Sequence, residues 1–256
     1  MGNCAIKYSP IESKRFGLRM YRGQYEKFDI TDVVDLVHKN DFDIIIVRYP
    51  SITIHEHYKL VGIEGCKTIH ADSLVYYDAP LQKIEIQPLR NNLQFEVVNL
   101  QSDKNLDSLV ERIFTGYQNH YYSNPCLRRS DIIEGYIEWA KSFATTNENG
   151  VTWLIKDASS KETVAFLACS IDKIASVSEL KLGGVLPEFA GKGIYSDFVR
   201  YAQRYFKDLG ICSLITSTQL QNVNVQRAWQ KLGFHFDKSY ETYHIIKDSV
   251  WNIKPL

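Results

Sequence analysis

A short glycine-containing segment, Ala190-Gly-Lys-Gly-Ile-Tyr195, has the residue types that most clearly suggest binding chemistry. Its glycines, Gly191 and Gly193, stand between an apolar strand pattern that stops near Pro187 and an amphipathic helix pattern. Glycine lets backbone amides turn inward, and the free N–H groups at the start of a helix attract anions. Lys192 adds a positive charge. Taken alone, these residues fit a pyrophosphate cradle and an ordinary turn equally well.

A second informative segment is NVNVQRAWQKLGF (222–234), which predicts a helix that ends at a Gly-Phe pair. Together with the glycine loop and the glycine-broken strand LKLGGVLP (180–187), it resembles the GNAT family of CoA-dependent N-acyltransferases. The resemblance extends from about Leu106 to the C-terminus. It implies an α/β (α+β) fold of the GNAT type, in which helices flank a mixed, mostly antiparallel central sheet, and acyl-CoA as co-substrate.

The sequence departs from the family pattern at three positions. The family's loop reads Arg/Gln-x-x-Gly-x-Gly/Ala, and only Gly193 agrees, because Ala190 and Tyr195 occupy the outer positions. Trp229 stands where many members carry a tyrosine proposed as general acid for the departing thiolate. An indole N–H cannot serve as that acid. Either another group does so, or the thiolate leaves unassisted, since a thiol pKa of roughly 8–9 makes it a tolerable leaving group.

The family resemblance assigns the residues that would bind CoA. Gly183-Gly184 predicts a β-bulge, where the pantetheine arm would pair with main chain and a free N–H would polarise the thioester carbonyl. Asn222 matches the asparagine that bonds the arm. The expected CoA-binding residues are Gly184, Val185, Leu186, Gly191, Lys192, Gly193, Ile194, Tyr195, Asn222 and Trp229.

The amine that attacks a thioester must be neutral, so an ammonium substrate needs a base, directly or through water. Glu179, on the strand beside the expected thioester, is the leading candidate, and His120 and His244 are further candidates. The expected catalytic residues are Glu179 and His120, although a structural hydrogen-bonding role is the more common one for each residue type. Direct attack by the amine is favoured, because no cysteine has a basic neighbour in the sequence.

A narrower resemblance suggests the acceptor. The segment IESKRFG (11–17) is similar to the opening of two-domain nucleotide-sugar N-acyltransferases (WecD-like and FdhC-like), with Ile11 in place of their tryptophan. The segment HYYSNPCL (120–127), which precedes the helix carrying Trp139, is similar to the His/Tyr-rich segment of the same enzymes. This implies acyl transfer to a dTDP-linked 3- or 4-amino-dideoxyhexose for surface polysaccharide (O-antigen), with acetyl or 3-hydroxybutanoyl as the acyl group. The expected substrate-binding residues are Tyr121, Tyr122, Asn124, Lys181, Ser217 and Tyr243.

Hydrophobic periodicity indicates the elements that position these residues. Residues 1–100 predict a smaller α/β domain resembling a truncated GNAT unit, and residues 101–256 the acyltransferase domain, joined by a linker at Asn99 to Ser108. The C-terminal half predicts two helices, a hairpin, a strand, a helix, a strand, a helix and a final hairpin over FHFDKSYETYHIIK (234–247).

Bulk composition narrows the function classes. Thirty basic and thirty acidic residues give zero formal charge, so no overall field favours nucleic acid or a membrane surface. The five scattered cysteines and the absence of an apolar run of membrane-spanning length predict a cytoplasmic protein without a metal site, and a homodimer is possible. The alternatives are an acetyltransferase acting on a protein N-terminus or a polyamine, and a non-catalytic acyl-CoA-binding module.

Overall fold

The computed structural model describes residues 6–98, 105–143 and 149–253. The strands are β1 Lys7–Tyr8, β2 Met20–Gln24, β3 Ile44–Pro50, β4 Cys66–Pro80, β5 Leu93–Val97, β6 Gly150–Asp157, β7 Thr163–Asp172, β8 Val177–Val185, β9 Ser213–Gln219 and β10 His235–Lys247. The helices are α1 Pro10–Phe16, α2 Thr31–Lys39, α3 Asn105–Phe114, α4 Arg129–Phe143, α5 Ile194–Asp208, α6 Val223–Lys231 and α7 Asp248–Trp251, with 3₁₀ helices at Ser51–Leu60 and Pro187–Phe189. Strands pair mostly antiparallel and helices flank them, which confirms the predicted fold class.

The chain divides into two compact units. The first contains Met1–Val75, Gln118–Gly135 and Lys238–Leu256, and the second contains Tyr76–Tyr117 and Tyr136–Asp237. This division differs from the one at residue 100 that the sequence suggested, because two later segments of the chain join the N-terminal one. The expected linker lies mostly outside the described residues.

The first unit is built around β3, whose Ile44–Val47 run is fully buried, as its unbroken apolar pattern predicts. β2 pairs with β3 in parallel on one side, and β10 pairs with it antiparallel on the other, from Tyr240 to Ile246. β10 is therefore one long strand, and the expectation of a final hairpin is wrong. Its exposed first half is polar but has no Asn-Gly or similar pair to close a tight turn.

The second unit carries the strand order β9-β8-β7-β6-β5. β6 and β7 form the predicted hairpin, whose turn is held by amides of Ser159 and Ser160 donating to Asp157 Oδ1 at 2.9 and 2.8 Å. The edge strand β5 has no counterpart in the sequence-based assignment. Helix α5 buries Ile194, Phe198, Ala202 and Phe206 as its periodicity predicts, and this apolar face fixes the helix against the sheet.

Candidate functional site

The most distinctive feature of the second unit is a gap between β8 and β9. These two strands pair in parallel only from Val177–Ser213 to Leu180–Thr216, although both continue beyond that point. At the same position the β7–β8 ladder shifts, because Ala168 pairs with Leu182 while Cys169 pairs with Leu180. Lys181 is thus the extra residue of a β-bulge, two residues before the glycine pair where the sequence predicted it. The bulge bends β8 away from β9.

Beyond the bulge, every second residue of β8 directs its backbone N–H and C=O groups toward this gap. The Leu186 amide donates to the Val164 carbonyl of β7 at 2.9 Å, so Leu186 and, by strand alternation, Gly184 direct their polar groups toward β7. Gly183 and Val185 direct theirs toward the gap. Of the three residues that the sequence assigned to pantetheine pairing, only Val185 therefore offers its main chain there. Gly183 offers its main chain as well, a position that the sequence analysis missed.

Gly184 has a different function in the packing. A Cβ built on it would lie 2.4 Å from Ile113 Cγ2, so helix α3 packs directly onto this part of β8. Arg112 of the same helix forms an ion pair with Glu188 in the loop after β8. Helix α3 therefore borders the gap.

The glycine loop connects β8 to α5. Gly191 and Gly193 have φ of +78° and +81°, which favours glycine, and Gly193 is the N-cap residue of the helix. The first N–H groups of a helix have no intrahelical acceptor, and the first described bond into this turn is from the Asp197 amide to the Gly193 carbonyl at 3.1 Å. The exposed loop thus presents amides from Gly191 to Tyr195 to a ligand, which fits a pyrophosphate. The Lys192 ammonium lies 4.5 Å from the Phe189 ring centroid.

Asp197 fixes the start of α5. Its fully buried carboxylate accepts hydrogen bonds from the Arg90 and Asn91 amides, from Asn91 Nδ2 at 2.7 Å and from Arg200 Nη1 at 2.7 Å. Burial opposes ionisation, but these donors outweigh it and lower the Asp197 pKa. Asn91 Nδ2 also donates to the Lys192 carbonyl at 3.2 Å. The loop conformation is therefore held by a buried anion that the sequence analysis missed.

Helix α6 borders the gap beyond β9. Asn222 is its N-cap residue, and its Nδ2 donates to Thr218 Oγ1 at 3.0 Å. Trp229 is 2% exposed, and its Nε1–H donates to the Tyr195 hydroxyl at 2.9 Å. Tyr195 and Trp229 both depart from the family pattern, and although they lie on different helices they contact each other. The Tyr117 hydroxyl hydrogen-bonds two residues at the end of β9, Thr218 at 3.3 Å and Gln219.

Three of the residues expected in catalysis and acceptor binding, Glu179, Lys181 and Ser217, lie on β8 and β9 near the gap. Glu179 and Lys181 form an ion pair on the same strand, with both side chains partly buried. Ser217 is half-buried and follows the last paired residue of β9, so it lies where the gap opens. The Glu179 carboxylate lies two residues before the bulge, and an amine would have to displace or share Lys181 to use it as base.

His120 belongs to a buried relay in the first unit. His120 Nδ1 lies 2.9 Å from His244 Nε2, and His244 Nδ1 lies 2.9 Å from Asn124 Nδ2. Asn124 Oδ1 accepts from the Cys126 amide at 2.9 Å, which orients its Nδ2–H toward His244. His244 therefore carries its proton on Nε2 and donates to His120, whose own proton lies on Nε2.

The relay keeps both rings neutral. Burial lowers the His244 pKa to about 3 and holds the His120 pKa well below its ordinary value, and nearby arginines act in the same direction. The Nδ1 lone pair of His120 accepts the hydrogen bond from His244, so His120 can only donate, through its Nε2–H, to any other group. This arrangement favours a donor or positioning role over the base role that the sequence suggested.

The expected acceptor-binding tyrosines also lie in the first unit. The Tyr121 hydroxyl hydrogen-bonds the buried Glu12 carboxylate, and burial raises the Tyr121 pKa to about 12. The Tyr243 hydroxyl lies 3.1 Å from His57 Nδ1, and the ring of Tyr122 packs under Arg129, 5.3 Å from its guanidinium carbon. Tyr121 and Tyr243 therefore already have internal partners.

The described residues contain neither a metal-binding cluster nor a membrane-spanning helix. Among the described residues, no group of three or more His, Cys, Asp and Glu side chains is placed to hold a metal ion. His57 is buried in a 3₁₀ helix and hydrogen-bonded to Thr53 and Tyr243. Within the same described ranges, no helix has the length and apolar character needed to cross a bilayer.

Comparison with known proteins identifies the family. Residues 103–235 match the family described as the acetyltransferase (GNAT) domain, which is just over half of the 256 residues. The chain belongs to the GNAT acetyltransferase family. Members use acetyl-CoA or another acyl-CoA as co-substrate, and the splayed strands and the glycine loop are the parts of this chain that fit it.

Solved structures share the fold at low sequence identity. A functionally unknown conserved protein from Staphylococcus epidermidis aligns with a TM-score of 0.61 at 12% identity, over 97% of this chain and 92% of that one. A GCN5-related N-acetyltransferase from Kribbella flavida aligns with a TM-score of 0.58 at 13% identity, over 96% of this chain and 88% of that one. A GCN5-related glucosamine N-acetyltransferase region of a fungal β-N-acetylglucosaminidase aligns with a TM-score of 0.57 at 14% identity, over 88% of this chain and 30% of that one. No curated protein matched the chain.

Proposed function

We propose that this protein transfers a short acyl group, acetyl or 3-hydroxybutanoyl, from acyl-CoA to the amine of a dTDP-linked 3- or 4-amino-dideoxyhexose. The amine attacks the thioester directly, and the product serves surface polysaccharide (O-antigen) synthesis. A cytoplasmic location and a homodimeric state belong to the same proposal.

The contact between two sequence segments carries the sugar part of this proposal. The two segments that resemble nucleotide-sugar N-acyltransferases, residues 11–17 and 120–127, meet in the first unit. The Tyr121 hydroxyl bonds Glu12, Arg22 Nη1 lies 3.3 Å from the same Glu12 oxygen, and the Tyr121 and Phe16 rings lie 5.5 Å apart. Segments that form one buried unit are expected to share one function.

Acyl transfer is assigned to the second unit. Gly183 and Val185 would pair with the pantetheine arm, and amides from Gly191 to Tyr195 would hold the pyrophosphate. Glu179 remains the proposed base, acting directly or through water, with Lys181 and Ser217 near the acceptor. The Val185 or Gly183 N–H would polarise the thioester carbonyl.

A substrate panel tests this proposal. The full-length protein is incubated with acetyl-CoA or 3-hydroxybutanoyl-CoA and with dTDP-3-amino and dTDP-4-amino sugars, spermidine or a peptide with a free N-terminus, while thiol release is followed. We expect turnover with a dTDP-amino sugar to exceed that with spermidine and peptide by about 100-fold in kcat/KM. Preference for spermidine or the peptide would contradict the sugar assignment, and CoA binding without any turnover would favour the non-catalytic module.

A further inference from the structure

The hydrogen bond between Trp229 and Tyr195 has a consequence for catalysis. Trp229 occupies the position of the family's proposed general acid, and Tyr195 occupies a position where the family has glycine or alanine. The indole Nε1–H donates to Tyr195 Oη at 2.9 Å, so a phenol hydroxyl is held beside the site that the family's tyrosine would occupy.

The surroundings of Tyr195 direct its hydroxyl proton. Its oxygen accepts a hydrogen bond from Trp229, and among the described residues its own O–H donates to no acceptor. Its ring is fixed by Phe198 at a centroid distance of 4.7 Å, and Trp229 packs against Tyr77 at 5.4 Å. The hydroxyl therefore lies between the start of α5 and helix α6, two elements that border the gap.

We propose that Tyr195 is a catalytic hydrogen-bond donor to the sulfur of the acyl-CoA thioester, and that Trp229 positions it. This inference rests on the acyl-transfer part of the proposed function. As the amine nitrogen forms a bond to the carbonyl carbon, the C–S bond breaks and its electron pair passes to sulfur. The Tyr195 O–H donates to that thiolate and remains a phenol. The proton lost by the attacking nitrogen passes to Glu179, the proposed base, directly or through water, and the released thiolate takes a proton from solvent.

The protonation state of Tyr195 agrees with a donor role. Burial raises the Tyr195 pKa, nearby Tyr117 acts in the same direction, and the Trp229 hydrogen bond opposes them. The phenol therefore stays protonated at neutral pH, as a hydrogen-bond donor to an anion must.

The first test needs no acceptor. CoA is bound to the wild type, to Tyr195→Phe and to Tyr201→Phe, and ionisation of its thiol is followed by the ultraviolet absorbance of the thiolate. Tyr201 lies on the same helix, stacks on Phe95 and is the matched control. We expect the thiol pKa to fall below its free value of about 8.5 on the wild type and on Tyr201→Phe, and to rise by about one unit in Tyr195→Phe. Equal values in all three complexes would overturn the proposal.

The second test uses acetyl-CoA and the best acceptor from the panel. Tyr195→Phe is expected to lower kcat about 10- to 100-fold with KM for acetyl-CoA changed less than about twofold. Trp229→Phe is expected to lower kcat in the wild type but to have little further effect in Tyr195→Phe, because the two residues act as one pair. If the wild type turns over and Tyr195→Phe matches Tyr201→Phe, the role of Tyr195 is wrong while the acyltransferase function stands. If the wild type neither binds CoA nor turns over, both fail.

Discussion

Single residues in this protein compensate for one another. Tyr195 replaces a small residue of the loop and Trp229 replaces a tyrosine, and each change alone would suggest an eroded site. Their hydrogen bond indicates that the two changes belong together. Sequence reasoning treated them separately, because residues 34 positions apart have no visible pairing until two helices are placed side by side.

The histidine relay predicts how stability depends on pH. The pKa of His244 falls from its ordinary 6.5 to about 3 in the folded protein, and the His120 pKa is lowered in the same direction. The unfolded chain therefore binds protons first as the pH drops below 6.5. The stabilisation is complete above that pH and is lost on acidification, by up to about 1.4 kcal/mol per pH unit for each histidine.

Replacing one histidine tests this relay. His244→Gln keeps an amide N–H for His120 but removes one titrating group. We expect the free energy of unfolding, measured with urea, to fall less steeply between about pH 6.5 and pH 4.5 than in the wild type, because one buried histidine no longer titrates. An unchanged slope in His244→Gln would contradict the assignment of neutral buried rings.

At the scale of elements, the bulge at Lys181 separates a paired half of β8 from an open half. The sequence predicted the strand and a bulge within it, but placed the bulge at the glycines. Glycine occurs in a strand either at a bulge or where a neighbouring element packs closely against the backbone, and the sequence does not distinguish these two cases. Gly184 serves the second, since Ile113 of α3 occupies the space its Cβ would need.

The close approach of α3 is testable by a paired substitution. Gly184→Ala is expected to destabilise the protein by about 1–3 kcal/mol, because its Cβ would overlap Ile113 Cγ2. Ile113→Ala removes that methyl group, so the double variant should be less destabilised than the sum of the two single changes. Denaturant unfolding measures all four proteins. Simple additivity would show that α3 does not pack there.

Other elements show where local patterns are sufficient. β3, the β6–β7 hairpin, α5 and α6 form where their apolar patterns predict strands and helices. β5 is a short edge strand, and its assignment depends on pairing with β6 rather than on its own pattern. β10 looked like a hairpin because its first half is polar, and only its pairing with β3 reveals one strand.

At the scale of the whole molecule, the family could be inferred from sequence, whereas the division into units could not. Residues 118–135 and 238–256 belong to the compact unit that contains the N-terminus. Such membership depends on contacts between distant segments, which no local pattern encodes. His120, Tyr121, Asn124 and Tyr243 therefore share a unit with the N-terminal segment rather than with the glycine loop.

In the proposed function, the glycine loop and the start of α5 bind the phosphates of acyl-CoA. Gly193→Val tests it, because φ is +81° there and no protein atom lies within 3.5 Å of a built Cβ, so the side chain would occupy the cradle rather than the core. Gly210→Val is the control, since Gly210 has φ of +78° and open space at the other end of the same helix.

Titration calorimetry with CoA is the deciding measurement, with circular dichroism to verify that both variants are folded. We expect Gly193→Val to weaken CoA binding by about tenfold or more, and Gly210→Val to bind as the wild type does despite similar backbone strain. Unchanged CoA affinity in a folded Gly193→Val protein would contradict the assignment of this loop.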